Sequence, residues 1–129
     1  MESENNVICL ELRRRLCGLL SGSLQALSPV RYIALGTGGQ DEAGNPLIPS
    51  ETQASLHNEV GRYPVATPAY PDETTARFSI VVPEGELAGM GLNEMALVSG
   101  DGALYMLRNT LPKFKEEDEE FEFVFDCKL

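Results

Sequence analysis

Apolar residues recur at helical spacing only near the start of the chain. Ile8, Leu12, Leu16 and Leu19, with Cys9 and Leu20 beside them, predict an amphipathic helix over residues 7–20. Asn5 or Asn6 stands at the N-cap position, and Gly18 or Gly22 lies near the end. Ser28-Pro29 stops any continuation. From residue 30 the period shortens to two. Tyr32, Ile33 and Leu35 mark a first strand over 31–35, which runs into the Gly-rich GTGG at 36–39 and a polar stretch lasting to about Pro49. In 50–61, Ser50 and Gln53 suggest a capping box, and Leu56 and Val60 stand one turn apart, predicting a short helix.

Downstream, residues 63–67 and 74–82 read as strands separated by the loop PAYPDE. Ala76, Phe78, Ile80 and Val82 alternate with Thr75, Arg77, Ser79 and Val81, as in a half-buried strand. Residues 92–98 and 103–108 flank SGDG at 99–102, a hairpin signal. Phe121, Phe123 and Phe125 alternate with Glu122, Val124 and Asp126, placing an aromatic face inward. Strands joined by turns rather than helices favour antiparallel pairing. The expected fold is mainly β within the α+β class: a small antiparallel β-sandwich with an N-terminal amphipathic helix. It forms a single domain over 1–129, with the helix at 7–20 and a β-rich body at 30–129.

Composition narrows the functional classes. The 129 residues contain 43% apolar residues and carry a net charge of −10. That balance opposes nucleic acid and anionic membrane as partners, and suits a partner with a basic docking patch. The Arg13-Arg14-Arg15 cluster is read as a solvated helix face. Cys9, Cys17 and Cys127 form no CxxC and no even set, so neither a disulfide framework nor a zinc knuckle is expected. The acidic start MESENN lacks the positive region of a signal peptide, and no apolar run approaches the roughly 18 residues of a spanning helix. These features point to a soluble protein made in a reducing compartment.

Candidate chemistry is sparse. GTGG lacks the GxxxxGK[ST] pattern of a phosphate loop, and positive φ at a strand end explains its glycines. His57, the single histidine, has no nucleophile or second ligand in view. The run EEDEE lacks the spaced oxygens of a calcium loop and reads as an edge guard, with Asp101 in SGDG weaker still. Glu59 and Glu94 both sit in apolar surroundings. A two-carboxylate hydrolase is conceivable, but structural satisfaction of each is favoured, with Glu59 pairing with Arg62. No cofactor, metal or catalytic residue is assigned. Gly38, Gln40, Asp41, Glu42 and Asn45 of the long loop are the candidate partner contacts, with 69–73 and 85–91 as further contact loops.

The ordered set Ile33-Ala34-Leu35-Gly36-Thr37-Gly38, then Leu56, Glu59, Val60 and Arg62, then Asn93-Glu94-Met95-Ala96-Leu97-Val98, Gly102, Leu104 and Arg108, resembles the N-terminal domain of phage tail-collar fibre proteins and related tail-fibre or baseplate-associated proteins. The resemblance covers about 90 residues from Val30 onward; Ala96 stands where the family pattern has Gly. It implies a non-enzymatic structural protein of a phage or prophage tail. The implied partners are other tail or baseplate proteins and further copies of the chain, a trimer by analogy. The implied location is the virion tail, or the bacterial cytoplasm where the protein is made. A fibre protein would continue past Leu129, so the expectation is either a stand-alone tail or baseplate accessory protein of a prophage or a domain adapted elsewhere. The alternative from residue chemistry is a small ligand- or carbohydrate-binding β-sandwich using Tyr63 and Tyr70.

Overall fold

The structure is a computed structural model that describes residues 5–129; the first four residues of the acidic start lie outside the described residues. Its elements are β1 (Asn6–Ile8), α1 (Leu10–Ser21), β2 (Val30–Gly36), β3 (Glu59–Pro64), β4 (Ala69–Asp72), β5 (Thr75–Val82), β6 (Leu92–Ser99), β7 (Leu104–Lys113) and β8 (Phe121–Lys128). They form two antiparallel sheets, ordered β1-β7-β6-β2-β3 and β4-β5-β8. The chain is thus mainly β with one short helix, as the alternation along the strands requires.

One core joins the two sheets. Ile33, Leu35, Met95, Leu97 and Met106 from the larger sheet meet Ile80, Val82, Phe123 and Phe125 from the smaller one. Phe123 and Phe125 are buried while Glu122 and Val124 are exposed, so the aromatic alternation faces as predicted. Between the sheets, the chain crosses at 65–66, where Val65 N–H donates to Arg31 O (2.9 Å) and Ala66 N–H to Ser79 O (2.9 Å). Arg108 closes the opposite flank. Its guanidinium lies 4.6 Å from the Phe125 ring centroid and donates to Asn6 Oδ1 at 2.8 Å, and burial lowers its pKa.

The helix differs from the predicted 7–20. Asn6–Ile8 is strand, because it pairs with Arg108, Leu107 and Met106 at the edge of β7. Cys9, not Asn5 or Asn6, occupies the N-cap and makes no side-chain cap. Carbonyls distant in the sequence satisfy the helix start: Cys9 N–H donates to Tyr105 O (2.9 Å) and Leu10 N–H to Glu51 O (2.7 Å). The helix does end at Gly22, whose φ of 80° closes it in the left-handed conformation. Arg15 then pins it. Its guanidinium donates to Glu11 (2.9 Å), Asp101 (2.9 Å) and the Tyr105 hydroxyl (2.9 Å), and that hydroxyl donates to Ser28 O (2.6 Å). Arg13 and Arg14 are exposed and pair with Glu51 and Glu11.

Two further expectations fail. Residues 50–58 form turns, and 59–64 is strand β3, because Gly36, Leu35 and Ala34 of β2 offer partners that outweigh a one-turn helix. PAYPDE is not a plain loop either; β4 pairs with β5 through Ala69↔Arg77 and Asp72↔Thr75. Of the two cysteines at the helix, Cys17 is exposed, whereas Cys9 is buried and its thiol is pushed up to about 11 by that burial.

Two outcomes follow from this packing. Phe125→Ala empties a site with no exposure and should cost about 3–5 kcal/mol in urea unfolding. At about pH 8 the Cys9 thiolate fraction is on the order of one in a thousand. A thiol-reactive dye should therefore label Cys17 rapidly in the native protein and Cys9 only after unfolding.

Candidate functional site

The long segment between β2 and β3 does not hang free. It folds back across the face of the larger sheet that points away from the smaller one. There Cys9, Ala34, Leu56, Ala96, Val98, Leu104 and Leu107 form a second apolar cluster. β6 is consequently buried along all eight residues, covered by the opposing sheet on one side and by this segment on the other.

Polar residues at the start of β6 hold the segment down. Glu94 is 1% exposed, and its carboxylate accepts three backbone N–H groups. His57 N–H reaches Oε1 at 2.9 Å; Asn58 N–H (2.8 Å) and Gly38 N–H (2.9 Å) reach Oε2. One side chain thereby ties both ends of the segment together, and hydrogen bonds to an ionised acceptor are the strong kind. Asn93 accepts from Gly39 N–H (2.8 Å) and donates to Gln40 Oε1 (2.9 Å). Asn109, opposite Glu94 on β7, donates to Leu47 O at 2.9 Å. The β6–β7 register shifts between Leu92 and Glu94, and such a bulge re-aims side chains, so sequence neighbours Asn93 and Glu94 both reach the segment.

The glycines of GTGG serve this contact. None of Gly36, Gly38 and Gly39 has positive φ, which corrects the expectation that backbone conformation demanded them. Their reason is proximity: a Cβ on Gly36 would lie 2.5 Å from Asn58 O, and one on Gly39 2.4 Å from Asn93 O. The N–H groups of Thr37, Gly38 and Gly39 are already bonded to Asn58 O, Glu94 and Asn93. A phosphate would have to displace these partners to claim any of the three N–H groups.

Above the clamp stands a small hairpin. Gln40 and Pro46 form an isolated bridge, Leu47 N–H donates to Gly39 O (2.8 Å) and Asp41 N–H to Asn45 O (2.9 Å). Asp41 Oδ1 accepts from Ala43 N–H and Asn45 N–H, both at 2.9 Å, and Gln40 Nε2 donates to Gly44 O. Gly44, with φ of 86°, closes the turn. Gly38, Gln40, Asp41, Glu42 and Asn45 therefore belong to one ordered projection, with 41–45 exposed and Gly38 at its clamped base.

Glu59 and Arg62 form the expected pair, with Arg62 Nε and Nη2 reaching the two carboxylate oxygens at 3.0 and 2.9 Å. Glu59 raises the Arg62 pKa by accepting that hydrogen bond. The pair flanks the projection on β3 and is about one-third exposed. Gly36 of β2 lies in register with Glu59 on one side and Glu94 on the other, so a strand separates the two glutamates. Each carboxylate is already engaged. His57 is exposed and contributes its backbone N–H, not its ring, to the clamp. In the acidic run, Glu119 accepts from Glu116 N–H (2.7 Å) and stays in a surface turn. Among the described residues, no group of three or more His, Cys, Asp or Glu is arranged to hold a metal ion. No helix among them is long and apolar enough to cross a membrane. The Tyr63 hydroxyl donates to Glu86 at 2.7 Å, and its pKa is pushed up to about 12 by burial and that contact. Tyr70 is 74% exposed.

Comparisons with protein-family models, curated proteins and solved structures returned no match.

Asn93 and Asn109 are the site residues that sequence reasoning missed. Their signal was polarity inside otherwise apolar strands, opposite a glycine-rich segment. Glu94 carries the same signal, and its sequence context predicts structural satisfaction but not which donors supply it.

Replacing Glu94 by Gln sets an amide donor against backbone donors and should cost about 2 kcal/mol in urea unfolding. Glu59→Gln, which breaks a partly exposed pair, should cost less than about 1 kcal/mol. Equal losses from the two substitutions would contradict the clamp.

Proposed function

We propose that this chain is a non-enzymatic structural protein of a phage or prophage tail, and that it attaches to other tail or baseplate components through the 38–46 projection. The observation that carries this reading is a projection held rigidly by buried groups while its tip stays in solvent. A loop ordered before binding loses little conformational entropy when a partner arrives, so its contacts are converted into affinity efficiently. Flexible loops lose that advantage.

The residues behind the tail-collar resemblance support it. Gly36, Gly38, Asn93 and Glu94 make the clamp, and Leu56 lies beneath the segment. The motif thus coincides with the groups that shape the projection. Asp41 and Glu42 at the exposed tip, on a chain of net charge −10, suit a basic docking patch. Both carboxylates of the hydrolase alternative are occupied, by Arg62 and by backbone donors, and this favours attachment over catalysis.

The test is composition of particles. Tails purified from the induced host should contain the protein in fixed stoichiometry. A Glu42→Lys variant, altered only at an exposed tip residue, should fold with an unchanged melting temperature yet be depleted from those particles. Purified tails lacking the wild-type protein would overturn the reading. Light scattering should show an oligomer, a trimer on the resemblance, and a strict monomer would count against it.

A further inference from the structure

A second feature lies away from the projection. Between α1, the start of β2, the 64–68 crossing and the inner face of β5 is a cavity of about 650 Å³, open to solvent on one side. That volume falls within the range of small-molecule sites. Its walls are largely apolar, with Leu12 and Leu16 from the helix facing Ala76 and Phe78 from β5. The Tyr105 hydroxyl on its wall is already engaged by Arg15 and Ser28 O. The crossing that forms its rim is fixed by the Val65 and Ala66 hydrogen bonds to both sheets.

Arg31 carries the one charged side chain among the described lining residues. It is also exceptional among the seven arginines. Arg13, Arg14, Arg15, Arg62 and Arg77 each pair with a carboxylate, and Arg108 bonds Asn6 and stacks on Phe125. The Arg31 guanidinium makes no hydrogen bond, ion pair or ring contact with another described residue, although its backbone carbonyl accepts from Val65 N–H. In a chain with 20 acidic and 10 basic residues, a cation without a counter-ion stands beside an apolar cavity. We propose that this cavity binds a small amphipathic anion, its apolar body seated between α1 and β5 and its carboxylate paired with Arg31. The proposal is independent of the attachment reading, since the cavity and the projection share no residue.

Cys127 lines the cavity and provides a readout. In a Cys17→Ser background, with Cys9 buried, maleimide labelling of the half-buried Cys127 is followed. Decanoate, 1-decanol and decyltrimethylammonium serve as probes for calorimetry and for protection of Cys127. Decanoate should bind one to one and slow labelling, and should bind more tightly than the cationic probe. Arg31→Gln, at an exposed position, should weaken decanoate by at least about tenfold while leaving decanol affinity within about twofold. Thr67→Trp, also exposed and on the cavity wall, should reduce binding of all three. The proposal is overturned if decanoate fails to bind, if the cation binds as tightly, or if Arg31→Gln changes decanoate affinity by less than about twofold. It is equally overturned if Cys127 is protected without any probe in an oligomer seen by light scattering, which would assign the groove to a second copy.

Discussion

A carboxylate in the protein interior must find donors, and in this chain Glu94 finds them in a loop's backbone. Three N–H groups from two separated parts of the segment converge on it. The dependence is mutual. Without the loop, Glu94 would be left on an apolar sheet face with its charge unsatisfied; without Glu94, His57, Asn58 and Gly38 would lose their acceptor. Segment 37–58 is therefore part of the folded core in the energetic sense, although it has almost no regular secondary structure.

The same contact explains why GTGG resembles a phosphate loop and yet is not one. Gly-rich backbone presents N–H groups to an anion in both cases. Here the anion is supplied by the chain itself, and the glycines allow the strand, loop and carboxylate to approach within distances a side chain would forbid. The exposed Glu59–Arg62 pair sits beside this contact but has a different standing. Water can replace much of what it provides, whereas nothing can replace the donors around Glu94.

At the other end of the larger sheet, Arg15 performs a comparable joining task through side chains. It links α1 to Asp101 in the β6–β7 turn and to Tyr105 on β7. Ser99 and Arg15 together hold Asp101 below the usual carboxylate range by hydrogen bonding to its ionised form. The helix is thus fixed at the mouth of the apolar cavity, while the Glu94 clamp fixes the projection elsewhere. Two surface features with distinct chemistry are held by separate contacts.

Sequence periodicity determined most strand identities and their inward faces, because alternation at Phe121–Phe123–Phe125 or Ala76–Val82 records which side is buried whatever the partner. Local sequence also marked the SGDG hairpin, a helix end at Gly18 or Gly22 and the Glu59–Arg62 pair, all of which depend on residues close in the chain. Tertiary structure alone decided the rest. β1 and β4 exist because β7 and β5 offer edges, residues 50–61 abandon helix because β2 offers a partner, and Cys9 caps α1 because Tyr105 and Glu51 carbonyls lie nearby. The clamp belongs to this second group. Glu94 meets Gly38 across 56 residues and Asn109 meets Leu47 across 62, and local pattern carries no record of contacts made over such separations.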